Sequence, residues 1–280
     1  MITTSTKLVA FIDILGFSKI IESYDSGKNL DVLHKLKSSM DSAVRLVKGG
    51  LSQGEGDIFF DWKESMDSRL FSDCLAVATP LRFKSYGFID QFKFFYKYLM
   101  AYQIVLMEDG FFTRGAVAIG SHYADDNMIF SGGLVEAYNL EHKLAIQPRI
   151  ILSEKVIEEI QKFKTTHSDD LNYMLVKDED GLCFLNHFNY NLMDSRIMDQ
   201  SSSDFLERFG TMGLMDESFE EKDLKAKRTE LLKIKALSLR EKEQADSDSI
   251  RDKHVWLIDF IDFELGNGNK RNFRSFNSWS

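Results

Sequence analysis

The feature that most constrains this chain is a five-residue apolar run that ends on a carboxylate. Leu8-Val9-Ala10-Phe11-Ile12 has no polar residue to turn toward water, so it predicts a strand covered on both faces. Asp13 follows at once, and Gly16 three residues later. A buried strand that delivers a carboxylate into a glycine turn sets a hard oxygen ligand beside backbone N–H groups able to approach phosphate oxygens. The competing expectation is that Asp13 merely caps the helix that follows.

The rest of the first half alternates between the two periodicities. Leu33, Leu36, Met40, Val44 and Val47 predict a helix over 29–47 with one apolar face. A glycine-rich loop over 49–57 precedes two expected strands, 58–62 and 69–78, joined by a polar turn at 63–68. Phe88, Phe92, Phe95, Leu99, Tyr102 and Leu106 mark one face of a long helix, and core packing explains that stripe. Strands are expected over 111–120 and 127–130, then a helix from Leu134 to Leu144 after Gly132-Gly133, and a strand over 149–152. Ser153 is placed to cap the next helix. The order βα, ββ, α, ββ, α, β predicts an α+β sandwich, with helices on one face of a mixed sheet.

Beyond residue 163 the pattern weakens. A hairpin is expected from 173–176 and 182–185 around Asp178-Glu179-Asp180-Gly181, whose acidic run lacks the alternating ligands of a calcium loop. Ser201-Ser202-Ser203 reads as a break. Residues 216–252 mix both charges and predict a long solvated helix, and 256–263 form a last apolar element that docks back, with Trp256 and Phe260 on one face. The expected division is a domain over 1–163 and a largely helical C-terminal extension over 164–280.

Composition narrows the function classes. A net charge of −9 over 280 residues argues against broad nucleic-acid binding, which needs a basic face. Two cysteines, Cys74 and Cys183, form no CxxC pair, which fits a reducing compartment. No apolar run approaches the roughly 20 residues of a membrane span, and residues 1–7 lack a signal-peptide pattern. A cytoplasmic protein without membrane partners is expected.

A second carboxylate completes the chemistry. Asp73 is the lone charge in Leu70-Phe71-Ser72-Asp73-Cys74-Leu75-Ala76-Val77-Ala78. A buried carboxylate is costly unless paired or metal-bound. Facing Asp13, it would make a two-metal site suited to in-line displacement at phosphorus. The alternative is a residue at a hairpin corner that binds backbone amides.

Together these segments resemble the class III nucleotide cyclase family. Its F-x-D-I-x-G-F pattern is matched from Phe11 to Phe17, and its G-D-x-x-x-A hairpin is matched around Asp73 with Ser72 in place of glycine. Arg114-Gly115-Ala116-Val117-Ala118-Ile119-Gly120 is similar to a further strand of that family. The resemblance covers about residues 7–160 and implies a ferredoxin-type mixed sheet. It also implies two Mg²⁺ or Mn²⁺ ions per active site, held by Asp13, Asp73 and the Ile14 carbonyl, with Gly16 and Phe17 on the phosphates. The substrate's 3′-hydroxyl would attack its own α-phosphate, and pyrophosphate would leave. The site is expected to form across a homodimer.

In the fourth helix of the family an asparagine and an arginine act on ribose and phosphate. Asn139 is the matching asparagine, while Glu141 stands in the expected arginine turn, which leaves Lys143 or Arg149 to supply a cation. This divergent helix, with Ala137-Tyr138-Asn139-Leu140-Glu141 followed by Pro148-Arg149-Ile150-Ile151-Leu152-Ser153, is similar to the Pycsar-type anti-phage pyrimidine cyclases of bacteria. That resemblance implies UTP, or else CTP, as substrate, and a cyclic product that activates a separate effector. Strand parity puts Asp67, Arg69 and Phe71 on the face of Asp73, so Arg69 is either a base reader or a surface arginine. His122, Asp125 and Asp126 read as a solvated hairpin tip rather than a metal site. A cyclase-like domain that binds nucleotide without turnover is the rival, favoured by the missing arginine; a different phosphoryl-transfer enzyme is a third reading, and no G-G-D-E-F motif supports it.

Overall fold

The computed structural model describes residues 3–49, 65–188 and 217–279. The apolar run lies in strand β1 (Ser5–Ile14), an interior strand of a nine-stranded mixed sheet. It is antiparallel to β3 (Cys74–Pro80) on one side and to β4 (Thr113–Ala124) on the other. The two-residue period of the strand then divides its side chains. Leu8, Ala10, Ile12 and Ile14 enter one core with Leu36 and Met40 of α2 (Val32–Gly49) and the aromatic stripe of α3 (Phe88–Glu108). Phe11 packs on the other face against Ala118 and against Ala137 of α4 (Gly132–Leu144).

Helices therefore cover both faces, not one as expected. A strand with two apolar faces requires two layers of cover. The second layer comes very close. A Cβ added to Gly120 of β4 would lie 2.4 Å from the Gly133 nitrogen, and one added to Gly133 would lie 2.7 Å from Val9 Cγ2. The Gly132-Gly133 pair thus lets α4 rest directly on the backbone of the sheet.

The hairpin around Asp73 also differs from expectation. β2 (Asp67–Phe71) pairs with β3 through a two-residue turn at Ser72 and Asp73, with Phe71 opposite Cys74. The single strand expected over 69–78 is thus two strands, and the expected partner at 58–62, like the 49–57 loop beyond Gly49 and the Ser201–Ser203 break, lies outside the described residues. Ser72 has φ 53, the left-handed geometry that the first position of such a turn demands and that glycine usually supplies. No glycine or asparagine flagged the turn in the sequence, and pairing of both arms overrides the strand propensity that runs across it.

β4 turns back into β5 (Ile129–Ser131), α4 crosses over, and β6 (Ile150–Leu152) pairs parallel with β4. Ser153 caps α5 (Glu154–Gln161) by accepting the Val156 N–H at 3.4 Å. α6 (Ser168–Met174) leads into the β7 (Leu175–Lys177) and β8 (Cys183–Leu185) hairpin, which extends the same sheet, with β9 (Arg274–Ser275) at its end. The sheet thus runs through residue 163. The charged stretch is two helices rather than one: α7 (Glu217–Gln244) and α8 (Asp248–Glu264), with Ser247 capping α8. They pack on each other, and Trp256, Leu257, Phe260 and Ile261 form a second core with Phe184, Phe188, Leu231 and Ile234. Among the described residues no helix is long and apolar enough to cross a membrane.

Candidate active site

Asp13 leaves β1 on the face that carries α4. The register sets it between two strands, opposite Arg114 of β4 and beside Cys74 at the start of β3. Directly opposed residues in an antiparallel pair project side by side. The Arg114 guanidinium lies 3.4 Å from Asp13 Oδ2, and its Nε lies 2.6 Å from Glu141 Oε1. Glu141 is buried on the inner side of α4. Asp73 reaches the same point from the β2–β3 turn. Cys74 Sγ is 3.7 Å from Asp13 Oδ1 and 3.8 Å from Asp73 Oδ1.

The charges in this cluster do not balance. Asp13 and Glu141 share the Arg114 guanidinium, and Asp73 adds a third carboxylate beside Asp13. Burial, then the facing Asp73 carboxylate, then Glu141, push the Asp13 carboxyl up to about 7, against the pull of Arg114. Burial also raises Glu141, opposed by Arg114 and His142. The Cys74 thiol is pushed up to about 12 by burial and by both aspartates. Ligand atoms of Asp13, Asp73 and Cys74 all lie within 4.8 Å of one another. Two carboxylates held so close fit a hard divalent cation, which would neutralise their repulsion. Ile14 buries its side chain in the first core.

The turn after Asp13 has the geometry expected of it. Gly16 sits at φ 76, ψ 18, as the N-cap of α1 (Phe17–Asp25), and no side chain caps that helix. Its first N–H groups are open to an anion, because the opening turn of a helix has no intrahelical acceptors.

Other expected residues lie elsewhere. Asn139 is exposed on α4, nearly opposite Glu141 around the helix axis, so one copy of the chain does not bring it to Asp13. Arg69 donates to the Asp125 carbonyl at 2.8 Å and lies 3.9 Å from Asp67; it shares a sheet face with Cys74 but makes no contact with the aspartates. The chain reverses at Ser72 and Asp73, so the parity that grouped Asp67, Arg69 and Phe71 with Asp73 does not extend across the turn. Lys143 is exposed on the outer side of α4. Arg149 is fully buried, bonded to Asp178 at 2.5 Å and to Asp180, and flanked by the Phe184 and Trp256 rings. It is committed to the second core and supplies no cation here. His122 bonds Asp67 and Ser131, while the Asp125 carboxylate accepts from Tyr123, Asn127 and Met128, so both side chains are engaged within the protein.

Reading the sequence assigned no role to Arg114, although it is the one charge in the strand 111–120. Lone charges in apolar strands were the signal that singled out Asp73, and the same signal applied to Arg114.

No protein-family model and no curated relative matches the chain. Solved structures similar to it include a crystal structure of the guanylyl cyclase Cya2, 12% identical over 55% of this chain and 78% of that one, with a TM-score of 0.34. A bacterial light-regulated adenylyl cyclase is 11% identical over 67% of this chain, with a TM-score of 0.35, and the match spans about half of that protein, 53%.

Proposed function

We propose that the chain is a nucleotide cyclase that converts a nucleoside triphosphate to its 3′,5′-cyclic monophosphate and pyrophosphate. The observation that carries this reading is the meeting of Asp13 and Asp73, beside an uncapped Gly16 turn, around a negative charge that Arg114 only partly offsets. Asp13, Asp73 and the Ile14 carbonyl would hold the Mg²⁺ or Mn²⁺ ions, which would supply charge neutralisation at the α-phosphate. The open N–H groups at Gly16 and Phe17 bind phosphate oxygens. Asp13 and Arg114 orient the reacting end. As the 3′-oxygen bonds to the α-phosphorus its proton passes to solvent water, and pyrophosphate departs with the electron pair of the broken P–O bond.

The working unit is a homodimer, because Asn139 faces away from the acidic pair of its own chain and a second copy can present it. The pyrimidine reading follows the divergent α4: UTP to cyclic UMP, or else CTP to cyclic CMP, with Arg69 as a candidate base contact. The product is then a second messenger in bacterial anti-phage defence and acts through a separate effector. One observation favours the rival, a non-catalytic nucleotide-binding relative. Glu141 stands where a cation is expected and neutralises Arg114.

One experiment separates them. The purified chain is incubated with ATP, GTP, CTP or UTP and Mn²⁺, beside Asp73→Ala, and products are resolved by mass spectrometry. A single cyclic product is expected. Its yield in the variant should fall by more than the roughly 100-fold that changes one layer further out cost. No product from any triphosphate, with the dimer intact, overturns the cyclase reading.

A further inference from the structure

A cavity of about 310 Å³ lies between the turn after β1 and the α7–α8 hairpin, joining the start of the chain to its end. Gly16 and Lys19 line one side; Glu241, Asp246, Lys253 and His254 line the other. The cations there are not equivalent. Lys19 is held by Asp246 at 2.6 Å, and Arg114, which lies outside the lining, is held by Asp13 and Glu141. Lys253 is half-buried and has no ion-pair partner among the described residues, Glu241 included.

Its surroundings make that costly. Burial first, then the nearby charges of Arg114 and Lys19, push the Lys253 ammonium below its usual range. A cation held against two others, beside a turn whose N–H groups are open, is suited to a multiply charged anion. His254 does not compete, since burial favours its neutral form and its Nδ1 lies 3.3 Å from Ser238 Oγ.

We propose that Lys253, carried by the C-terminal hairpin, binds the β- and γ-phosphates of the triphosphate and the pyrophosphate that leaves, so that the hairpin is one wall of the substrate site. This rests on the cyclase reading for the identity of the anion. The geometry supports it because the cavity shares Gly16 with the acidic site: an α-phosphate at Asp13 leaves its remaining phosphates to pass Gly16 toward Lys19 and Lys253. The extension beyond residue 163 then takes part in binding, as well as closing the second core.

The test is calorimetric titration of the full chain with inorganic tripolyphosphate in Mg²⁺, beside the Lys253→Met and Lys253→Arg variants, with the KM for the preferred triphosphate measured in parallel. Lys253→Met should weaken tripolyphosphate about tenfold, the worth of one hydrogen bond between charged groups. Binding of the nucleoside monophosphate and the melting temperature should hold, and Lys253→Arg should restore affinity. Wild-type affinity in Lys253→Met, equal losses in both variants, or no tripolyphosphate binding by the parent chain would each overturn the assignment. A cyclic product with a KM indifferent to Lys253→Met would remove Lys253 and leave the cyclase. Lysine-dependent tripolyphosphate binding without any cyclic product would do the reverse.

Discussion

Two acidic clusters stand on the same sheet, built from the same residue types, and they do opposite things. At the end of β1, Asp13 and Glu141 pair with one guanidinium, Arg114, and Asp73 stands beside Asp13. At the β7–β8 turn, Asp178, Glu179 and Asp180 meet two guanidinium groups, Arg149 and Arg271, and the Trp256 indole donates to Asp178 at 2.6 Å. Arg149 and Asp178 are 1% and 0% exposed, whereas Arg114 and Asp13 keep 23% and 20%. The closed cluster sets two guanidinium groups against its three carboxylates, with the Arg149–Asp178 pair sealed at its centre, and holds the second core to the sheet. The open one retains negative charge and access, which is what a cation and a phosphate require. Charge balance and closure, rather than residue type, separate a structural cluster from a reactive one.

Removing a cation from the closed cluster should give the larger stability effect. Arg149→Met strands Asp178 in an apolar core, and breaking a buried pair from one side costs about 3–5 kcal/mol. Chemical denaturation should show that loss. Asp73→Asn in the open cluster should leave stability unchanged or raise it, since it relieves repulsion. Equal destabilisation by both would break the comparison.

The next effect is a pH dependence. The metal-free Asp13 carboxyl titrates near 7 in the folded chain against 3.8 when unfolded. The folded state therefore holds the proton more tightly. The stability this contributes is complete below about pH 4 and is lost as pH rises through about 7, by at most roughly 4 kcal/mol. Denaturation at several pH values in the presence of a chelator should show the decline, which Mg²⁺ or Asp13→Asn should remove. A flat profile in the parent protein would mean that the open cluster is as well balanced as the closed one.

The smallest effect concerns the turn that presents Asp73. Ser72 is left-handed at φ 53, where a side chain costs roughly 1–2 kcal/mol. Ser72→Gly relieves that strain but adds chain entropy on unfolding, for a net gain of about 0.5 kcal/mol. Activity should be retained, and thermal melting should register the gain. A loss of stability would show that the Ser72 side chain is itself part of the open cluster.

Much of this architecture was legible in local pattern. Leu8 to Ile12 carried the doubly covered strand, the aromatic stripe carried α3, Ser153 its cap, and Gly132-Gly133 the start of α4. The β2–β3 reversal was not legible in local pattern, because Ser72 occupies a glycine position without a glycine's signature; the family resemblance and the hairpin-corner alternative were what placed a hairpin there. Nor was the break between α7 and α8, although Ser247 followed by Asp248 is an ordinary helix start that the surrounding charges obscured. The roles of Arg114, Glu141 and Arg149 depended on partners 27 to 101 residues away, and spacing along the chain carries no record of such distances.

The sequence alone determined most of the strands and helices, though not the breaks at Ser72-Asp73 and Ser247, and it determined that Asp13 ends a buried strand at a glycine turn. These follow from interactions within a few residues of each position. Only the tertiary structure decided that Asp73 meets Asp13, that Arg114 is shared with Glu141 while Arg149 is sealed away, and that Lys253 faces Gly16. Each of those depends on strand register and helix docking, which bring distant charges within a few ångströms, where desolvation and Coulomb energy set their chemistry.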